Sequence, residues 1–343
     1  MPSVRFSSMH RDETRRRAAT RTDVAKLAGV SSAVVSYVVN GGPRPVARDT
    51  QQRVLDAIQV LGYRPNASAR ALKLGSTNLI GIVAPMLSNP FYAEFIDQIN
   101  IAASKRGHAL LLTTTQGDPE SERQIVTDLV NRGVDGLLFL VFLHDENLYS
   151  LRSPEIPRVL LDRSQPIPGF QTIGSGIIDG SRMATQYLLD HGATSVTLIA
   201  GELDAPRIDL RRIGWEQALH AAGIVVPEPY ITTWDQKGGY HAAEHLLRLA
   251  DRHHPLAIFA GSDLIAMGAV QAIHDMGLSI PDDVQIISFD GTSIARYSWP
   301  ALTAVRHPFS AMAEAALNTV LDTKTDNGNQ IFPMSLVTGF SCA

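Results

Sequence analysis

The stretch from Thr20 to Asn40 constrains this chain most, because its residues predict two short helices joined by a tight turn. Thr20 and Asp23 fit the start signal in which a hydroxyl and a carboxylate satisfy free N–H groups of a first helical turn. Gly29 stands where a helix ends, because glycine enters the left-handed conformation cheaply. Ser31 can cap a second helix that runs to Asn40. This pattern predicts a helix-turn-helix, whose second helix can enter the DNA major groove.

The residues that follow predict two more helices of different character. Arg48–Leu61 has apolar residues at helical spacing and is ended by Gly62, whereas Ala47 gives it no capping side chain. Arg64–Leu72 is rich in alanine and has Pro65 at a position that suits a first turn. Isolated helices shorter than about 12–15 residues are marginal in water. We therefore expect the second segment to need partners in order to stay helical.

These segments resemble the signature of the lactose/galactose-repressor (LacI/GalR) family of bacterial transcriptional regulators. That signature reads T-x-x-D-V-A-x-x-A-G-V-S-x-x-T-V-S-R-V-L-N and, later, L-G-Y-x-P-N-x-x-A-R-x-L. The chain has TRTDVAKLAGVSSAVVSYVVN and LGYRPNASARAL, and the resemblance extends over roughly residues 20 to 343. It implies a ligand-responsive regulator, usually a repressor and not an enzyme. Such a protein binds a pseudo-palindromic operator as a homodimer.

The resemblance assigns operator contacts to both parts of the signature. In the helix-turn-helix they are Thr22, Ser31, Ser32, Ala33, Ser36, Tyr37 and Asn40. In the short hinge helix they are Asn66, Ala69, Arg70 and Leu72, and the leucine wedges between base pairs in the minor groove. Tyr37 replaces the usual arginine, which removes a guanine contact worth about 1–3 kcal/mol of discrimination. We expect an operator unlike the common family sequence, with Tyr37 either contacting DNA or packing.

The charge is divided between the two ends of the chain. Through Gly75 there are 13 Lys and Arg against 5 Asp and Glu, whereas the whole chain has a net charge of −4. A basic N-terminal part and an acidic remainder favour phosphate contact by the N-terminal part alone. A solvated basic surface is the alternative, and the adjacent helix-turn-helix favours DNA.

After Leu79 short apolar runs alternate with helical stretches, which is typical of parallel sheets with crossover helices. The runs are LIGIVAP, HALLLTT, DGLLFLV, RVLLD, SVTLIAG, LAIFAG and VQIISFD. With the resemblance, they predict a small all-α helix-turn-helix domain followed by an α/β two-lobed core like periplasmic binding proteins. The resemblance also places crossings between the lobes near Asp162, Asp290 and Leu321.

The expected domains follow from these patterns. They are a disordered basic extension over 1–19, the helix-turn-helix domain over 20–63, the hinge helix and linker over 64–77, and an effector-binding and dimerisation core over 78–343. The first lobe is expected at about 78–161 and 292–321, and the second at about 162–291 and 322–343. There is no heptad repeat after Phe332, which disfavours a coiled-coil tetramer.

Ligands of open α/β sheets bind beyond the carboxyl ends of the strands. The effector-binding candidates at those positions are Phe91, Tyr92, Asp162, Arg163, Arg211, Trp234, Ser262 and Asp290. By the resemblance, Arg211 and Asp290 grip ligand hydroxyls, a task that suits a guanidinium and a carboxylate. Asp263 is expected to cap the helix that begins at the next residue. The expected effector is a sugar, with a nucleoside or purine as the alternative, because an aromatic ring stacks on either.

Several of these residues have a second interpretation that the sequence leaves open. Arg211 and Asp290 could form a structural ion pair, and Phe91 could belong to the core. Arg207 could meet an anionic group or lie on a solvated surface.

Two other classes of protein also stay open. A solute-binding module would not need Thr20–Leu72. A zinc hydrolase would use His241, Glu244 and His245, which fit H-x-x-E-H. No third zinc ligand is suggested, so we expect no metal and no cofactor.

The composition indicates where the protein acts. No apolar run approaches the roughly 20 residues of a membrane span. The N-terminus lacks the apolar region of a secretory signal. The single cysteine, Cys342, excludes an internal disulfide framework. We therefore expect a cytoplasmic, nucleoid-associated bacterial protein with no membrane partner.

Overall fold

The structure is a computed structural model, and it describes residues 19–40, 42, 44–64, 75–115, 118–140, 156–203, 209–249, 256–322 and 328–342. The chain divides into two compact units, Met1–Thr77 and Asn78–Ala343. The expected extension lies outside the described residues apart from residue 19. So do the hinge positions Asn66, Ala69, Arg70 and Leu72.

The first unit, called the head below, contains three helices. They are α1 (Arg21–Ala28), α2 (Ser32–Asn40) and α3 (Arg48–Leu61). The Thr20 backbone N–H donates to Asp23 at 2.8 Å and the Asp23 N–H donates to the Thr20 hydroxyl at 3.4 Å, so the predicted capping box is present. Gly29 ends α1 with φ +64°, and α1 and α2 meet at a bend of 105°. This geometry confirms the helix-turn-helix.

The core of the head is small and lies where the three helices meet. Its buried side chains are Val24, Ala25, Ala28, Val35, Val54 and Ala57. Val38 and Val39 are half-buried against it, and Val34 is half-buried as well. Gly62 ends α3 with φ +59°, as predicted, and Ala47 makes no capping hydrogen bond. Because a core of this size contributes little hydrophobic stabilisation, helix caps account for a large part of the stability of the head.

The second unit, called the body below, alternates strands and helices. The strands are β1 (Leu79–Ala84), β2 (Ala109–Thr114), β3 (Gly136–Phe139), β4 (Arg158–Leu161), β5 (Gln171–Ser175), β6 (Thr197–Gly201), β7 (Tyr230–Thr232), β8 (Leu256–Ala260), β9 (Val284–Asp290), β10 (Thr303–Arg306), β11 (Asn329–Phe332) and β12 (Ser335–Val337). The helices are α4 (Pro90–Lys105), α5 (Pro119–Asn131), α6 (Ile177–Asp190), α7 (Leu210–Ala221), α8 (Gln236–Leu249), α9 (Asp263–Asp275), α10 (Ser293–Arg296) and α11 (Phe309–Leu321).

The strands form two six-stranded sheets. The first has the order β11-β5-β4-β3-β1-β2 and is parallel throughout. The second has the order β12-β10-β9-β8-β6-β7, with only β12 antiparallel to its neighbour. Helices cover both faces of each sheet: α4 and α11 share one core of the first, whereas α6 with α7 and α8 with α9 pack on the second. The predicted two-lobed α/β core is confirmed.

Three chain segments join the two lobes. The first passes through Gly176, between β5 and α6, and the second through His307 and Pro308, between β10 and α11. The third passes through Pro333 and Met334, between β11 and β12. Of the described residues, the first lobe therefore contains those within 78–175 and 308–332, and the second lobe contains those within 177–306 and 335–342.

The predicted crossings near Asp162, Asp290 and Leu321 are wrong. β5 follows Asp162 but stays in the first sheet, and β10 follows Asp290 but stays in the second. The error has a physical cause, because β5 reads QTIGS and β10 reads TAVR, so neither has an apolar run. Both are nevertheless buried, since their small side chains fit under covering helices.

Among the described residues no single helix is long and apolar enough to cross a membrane. The short helices α1 and α2 reach the length and hydropathy of a membrane span only when they are counted together, and the chain bends by 105° between them.

Candidate functional site

The predicted DNA contacts in the head lie on α1 and along α2 from its cap to its last residue. Thr22, Ser31, Ser32, Ala33 and Asn40 are exposed, and Ser36 and Tyr37 are half-buried. The Ser31 hydroxyl accepts from the Val34 backbone N–H at 3.4 Å and so caps α2. The Tyr37 ring lies against Gly42, where any side chain would overlap it. Packing therefore accounts for part of what Tyr37 does.

The head also carries exposed basic side chains. Within the part of the head that the structure describes, they are Arg21, Lys26, Arg44, Arg48, Arg53 and Arg64. Neutral, short side chains at the start of α2 and exposed cations on the same small domain suit contact with a phosphate backbone. Arg70, which the sequence also assigned to DNA, lies outside the described residues.

Two acidic residues mark the second candidate site, which lies in the body. Asp162 follows β4 of the first sheet, and Asp290 ends β9 of the second. Their backbones adopt φ +56° and +105°, a region that side-chain-bearing residues rarely enter. Strained backbone of this kind collects at binding sites. In addition to burial, the charge of Asp290 raises the pKa of Asp162, and Arg211 lowers the pKa of both acids, so these three side chains at the ends of the two sheets lie near one another.

Arg211 is held between two aromatic rings. Its Cζ lies 4.9 Å from the Trp234 ring centroid and 4.7 Å from the Phe289 ring centroid. The Asp209 side chain caps α7 by accepting from the Arg211 N–H at 2.9 Å, and also lies 3.7 Å from the guanidinium. The Arg211 side chain is only 18% exposed. The guanidinium is therefore fixed in direction before any ligand arrives, as charge-assisted recognition requires.

The Trp234 ring supports the Arg211 guanidinium and has little free surface on which a ligand could stack. Its indole N–H donates to the Glu202 carbonyl at 2.7 Å. A side chain at Gly201, where β6 ends, would overlap the ring. With Arg211 on the ring as well, the indole is a support for the cation.

The two aromatic residues at the start of α4 divide between core and site. Phe91 is 5% exposed and packs edge-on against Tyr92, Phe95 and Phe309. It belongs to the core, which was the alternative interpretation of this residue. Tyr92 faces the site, because Asp162 and Asp290 both act on its hydroxyl. Burial raises the pKa of Tyr92, and the two carboxylates add to that rise.

Ser262, and not Asp263 as predicted, caps α9. The Ser262 hydroxyl accepts from the Ile265 N–H at 3.2 Å, so Ser262 caps α9, and it is 4% exposed. Asp263 is not the cap. Its carboxylate accepts from the Ser288 hydroxyl, from the Thr292 hydroxyl and N–H at 2.6 Å each, and from the Gly291 N–H at 3.4 Å. Asp263 therefore holds the turn that follows Asp290.

His307 is a site residue that sequence reasoning missed. Its Nε2 lies 3.5 Å from Asp290 Oδ1, and its ring stacks on Phe309 at an interplanar angle of 6°. The side chain is buried, and neither ring nitrogen has a hydrogen-bond partner among the described residues. Asp162 Oδ1 and Arg211 Nε are likewise buried without such a partner. His307 follows β10, which has no apolar run. The strand was therefore not predicted, and a search for polar residues after predicted strands could not include His307.

Burial sets the electrostatics of the site. It raises the pKa of Asp290 to about 7, against the opposing effect of Arg211. It also raises the pKa of Asp162, which His307 and Arg211 counteract, and lowers the pKa of His307 to about 4. A ligand that donates hydrogen bonds to these carboxylates favours their ionised forms. Arg163, another predicted contact, is 9% exposed and acts on Asp162 through its charge. Arg207 lies outside the described residues.

The zinc-protease string does not form a metal site in the part of the chain that the structure describes. His241 Nδ1 lies 3.8 Å from Glu244, and the His245 ring lies 5.6 Å from the Tyr230 ring. No group of three or more His, Cys, Asp or Glu side chains within that part could hold a metal ion.

Comparison with known proteins agrees with both parts of the chain. Residues 20–66 match the family model "Bacterial regulatory proteins, lacI family", and residues 185–342 match "Periplasmic binding protein-like domain". Among solved structures, the lac repressor dimer bound to operator and the anti-inducer ONPF is similar at TM-score 0.82 and 26% identity, covering 95% of this chain and 99% of that one. A complex of the transcriptional regulator CelR with cellobiose gives TM-score 0.69 and 27% identity over 94% and 99%.

Curated relatives are closer in sequence. The HTH-type transcriptional repressor PurR of Klebsiella pneumoniae is 35% identical, over 89% of this chain and 90% of the relative. The ribose operon repressor of Escherichia coli is also 35% identical, over 88% and 92%. These relatives are transcriptional repressors and not enzymes. Because the similarity spans nearly nine-tenths of its length, the chain belongs to the lacI family of bacterial regulatory proteins.

Proposed function

We propose that this protein is a ligand-responsive transcriptional repressor that acts in the bacterial cytoplasm, on the nucleoid. It binds a pseudo-palindromic operator as a homodimer, with one helix-turn-helix for each half-site. The observation that carries the proposal is the meeting of Asp162, Arg211 and Asp290 at the carboxyl ends of two sheets in a family of DNA-binding regulators. The exposed start of α2, on a head with several exposed basic side chains, supports the DNA-binding half.

The operator is read mainly by shape and by a few contacts. Ser32 and Ala33 are too small for bidentate hydrogen bonds to bases, and Ala33 at most meets a thymine methyl group. The hinge positions Asn66, Ala69, Arg70 and Leu72 remain proposed minor-groove contacts, with Leu72 as the wedge.

The effector is a sugar or related polyhydroxyl compound. The carboxylates of Asp162 and Asp290 accept hydrogen bonds from ligand hydroxyls, and the Arg211 guanidinium donates to the oxygens of those hydroxyls. Phe91 is packed in the core and Trp234 supports Arg211, so hydrogen bonding outweighs free aromatic surface in the described part of the site. Tyr92, Arg163 and Ser262 remain proposed contacts around these groups. The alternative is a purine or nucleoside, which the similarity to PurR supports as strongly as the ribose operon repressor supports a sugar.

Binding of the effector changes how the lobes close, and closure alters the geometry of the two hinge segments in the dimer. A segment too short to be helical alone amplifies a small displacement. Coupling between the two sites is reciprocal, so the operator changes effector affinity by the same factor.

One experiment tests both halves of this function. The full chain selects binders from random-sequence DNA, and fluorescence anisotropy then measures the Kd of the best sequence with pentoses, hexoses and purine bases added. We expect an inverted-repeat sequence and about a fivefold or larger change in Kd with one sugar. Scrambled DNA is the control. A response to purines alone would favour the alternative effector, and the absence of any symmetric selected sequence would refute the function.

A further inference from the structure

A hydrogen bond joins the two lobes away from the polypeptide crossings. Glu94 Oε1, on α4 of the first lobe, accepts from the Ser293 backbone N–H at 2.7 Å. Ser293 is the first residue of α10 in the second lobe. Backbone N–H groups at a helix start have no partner within the helix, so a carboxylate there makes a charge-assisted bond.

The second-lobe end of this bond is tied to the effector site. Ser293 lies three residues after Asp290, and the residues between them are clamped by Asp263. Gly291 has φ +65°, and a side chain there would collide with the backbone of Arg306. The turn is therefore confined on both sides, so a shift of Ser293 moves Asp290 with it.

The first-lobe end is equally rigid. The Asn89 side chain caps α4 by accepting from the Phe91 N–H at 3.0 Å, and Phe91 and Phe95 are buried in the core beneath. Tyr92, which faces Asp162 and Asp290, lies two residues before Glu94 on this helix. Glu94 and the first-lobe side of the site therefore move as one body.

We propose that Glu94 is a positioning residue: its bond to Ser293 latches the two lobes together and sets the distance between Tyr92 and Asp290. The latch itself depends only on the body, whereas its consequence for effector affinity rests on the proposed function. Opening the lobes breaks one hydrogen bond at this point and returns a carboxylate and an N–H to water.

The chain allows each partner of the bond to be removed separately. Glu94→Ala removes the acceptor, and Glu94→Gln keeps an oxygen but loses its charge. Ser293→Pro removes the N–H donor and leaves Glu94 in place. Proline suits a first helical position, and Thr292 already has the extended backbone, φ −78° and ψ 177°, that precedes proline. Asp97→Asn, an exposed carboxylate on the same helix, is the matched control.

Spin-label distances between the lobes of the full chain, without DNA or ligand, test the latch. Arg132 in the first lobe and Val225 in the second are exposed and accept cysteine labels, whereas Cys342 is buried. We expect Glu94→Ala and Ser293→Pro each to raise the ratio of separated to closed lobes about tenfold, with Glu94→Gln intermediate. The double variant should equal either single variant, since both break one bond.

A purely structural role would lower the melting temperature without shifting the distances. Distances that match wild type in both single variants would overturn the proposal, and so would additive effects in the double variant. Failure of the operator and sugar experiment would leave this result untouched, because no DNA or sugar is present here.

Discussion

At the scale of single residues, the effector site depends on one cation whose direction is fixed by its neighbours. Arg211 lies on the rings of Trp234 and Phe289 and next to the Asp209 carboxylate. It also opposes the rise in the pKa of Asp290, so it keeps that acid available as an acceptor. A flat guanidinium can stack and donate a fork of hydrogen bonds, and an ammonium cannot do both.

Replacing Arg211 should therefore separate effector response from DNA binding. We expect Arg211→Ala to abolish the effect of the sugar on operator affinity and Arg211→Lys to weaken sugar binding by about tenfold or more. Operator affinity without ligand should stay within about twofold of wild type, because the substitution lies in the body. Anisotropy titrations with and without sugar measure both. A normal response in Arg211→Ala would show that Arg211 does not bind the effector. The control is Arg212→Ala, which removes an exposed neighbouring arginine that pairs with Glu216.

At the scale of elements, the three helices of the head differ in how they begin. Thr20 caps α1 through a complete capping box and Ser31 caps α2, but Ala47 gives α3 no side-chain cap. The Ala47 backbone, at φ −56° and ψ 141°, already has the extended conformation of a capping residue. The missing cap therefore costs stability that one hydroxyl can restore.

Ala47→Ser should stabilise the head by about 1 kcal/mol, because the hydroxyl accepts an N–H of the first turn of α3. Thermal unfolding followed at the head should shift upward, and hydrogen exchange in α3 should slow. Thr20→Ala, which breaks the existing box on α1, should shift the same transition downward by a similar amount. An unchanged transition in Ala47→Ser would mean that the first turn of α3 does not limit the stability of the head.

Elements with strong local signals were predictable, and elements formed by tertiary context were not. Gly29 and Gly62 end helices where predicted, and the seven apolar runs became strands. β5, β7, β10, β11 and β12 were missed because each has only three to five residues and none contains an apolar run. Those omissions shifted all three predicted crossings and concealed His307, which follows one of the missed strands.

At the scale of the whole molecule, buried ionisable groups link stability to pH in two directions. Burial lowers the pKa of His307 to about 4. Between about pH 6.5 and pH 4, His307 is therefore protonated in the unfolded chain and neutral in the folded chain. The free energy of unfolding falls as the pH decreases through this range. Burial raises the pKa of Asp263 and Asp290 to about 7, so these acids have the opposite effect between about pH 4 and 7.

His307→Gln removes the first effect, while Asp263 and Asp290 remain in the variant. Relative to wild type, the free energy of unfolding of His307→Gln should rise by about 2 kcal/mol between about pH 7.5 and about pH 5. Urea unfolding at the two pH values measures the difference. An identical pH dependence in the two proteins would show that the buried imidazole titrates normally.

The three crossings between the lobes have a consequence for synthesis. β11 completes the first sheet and β12 the second, although the other strands of each sheet lie more than 25 residues earlier in the chain. Each lobe therefore keeps an unfinished sheet edge until residues 329–337 have been synthesised and folded. Truncation after Leu321 would remove an edge strand from both sheets at once and leave an unpaired strand edge in each lobe, which favours aggregation.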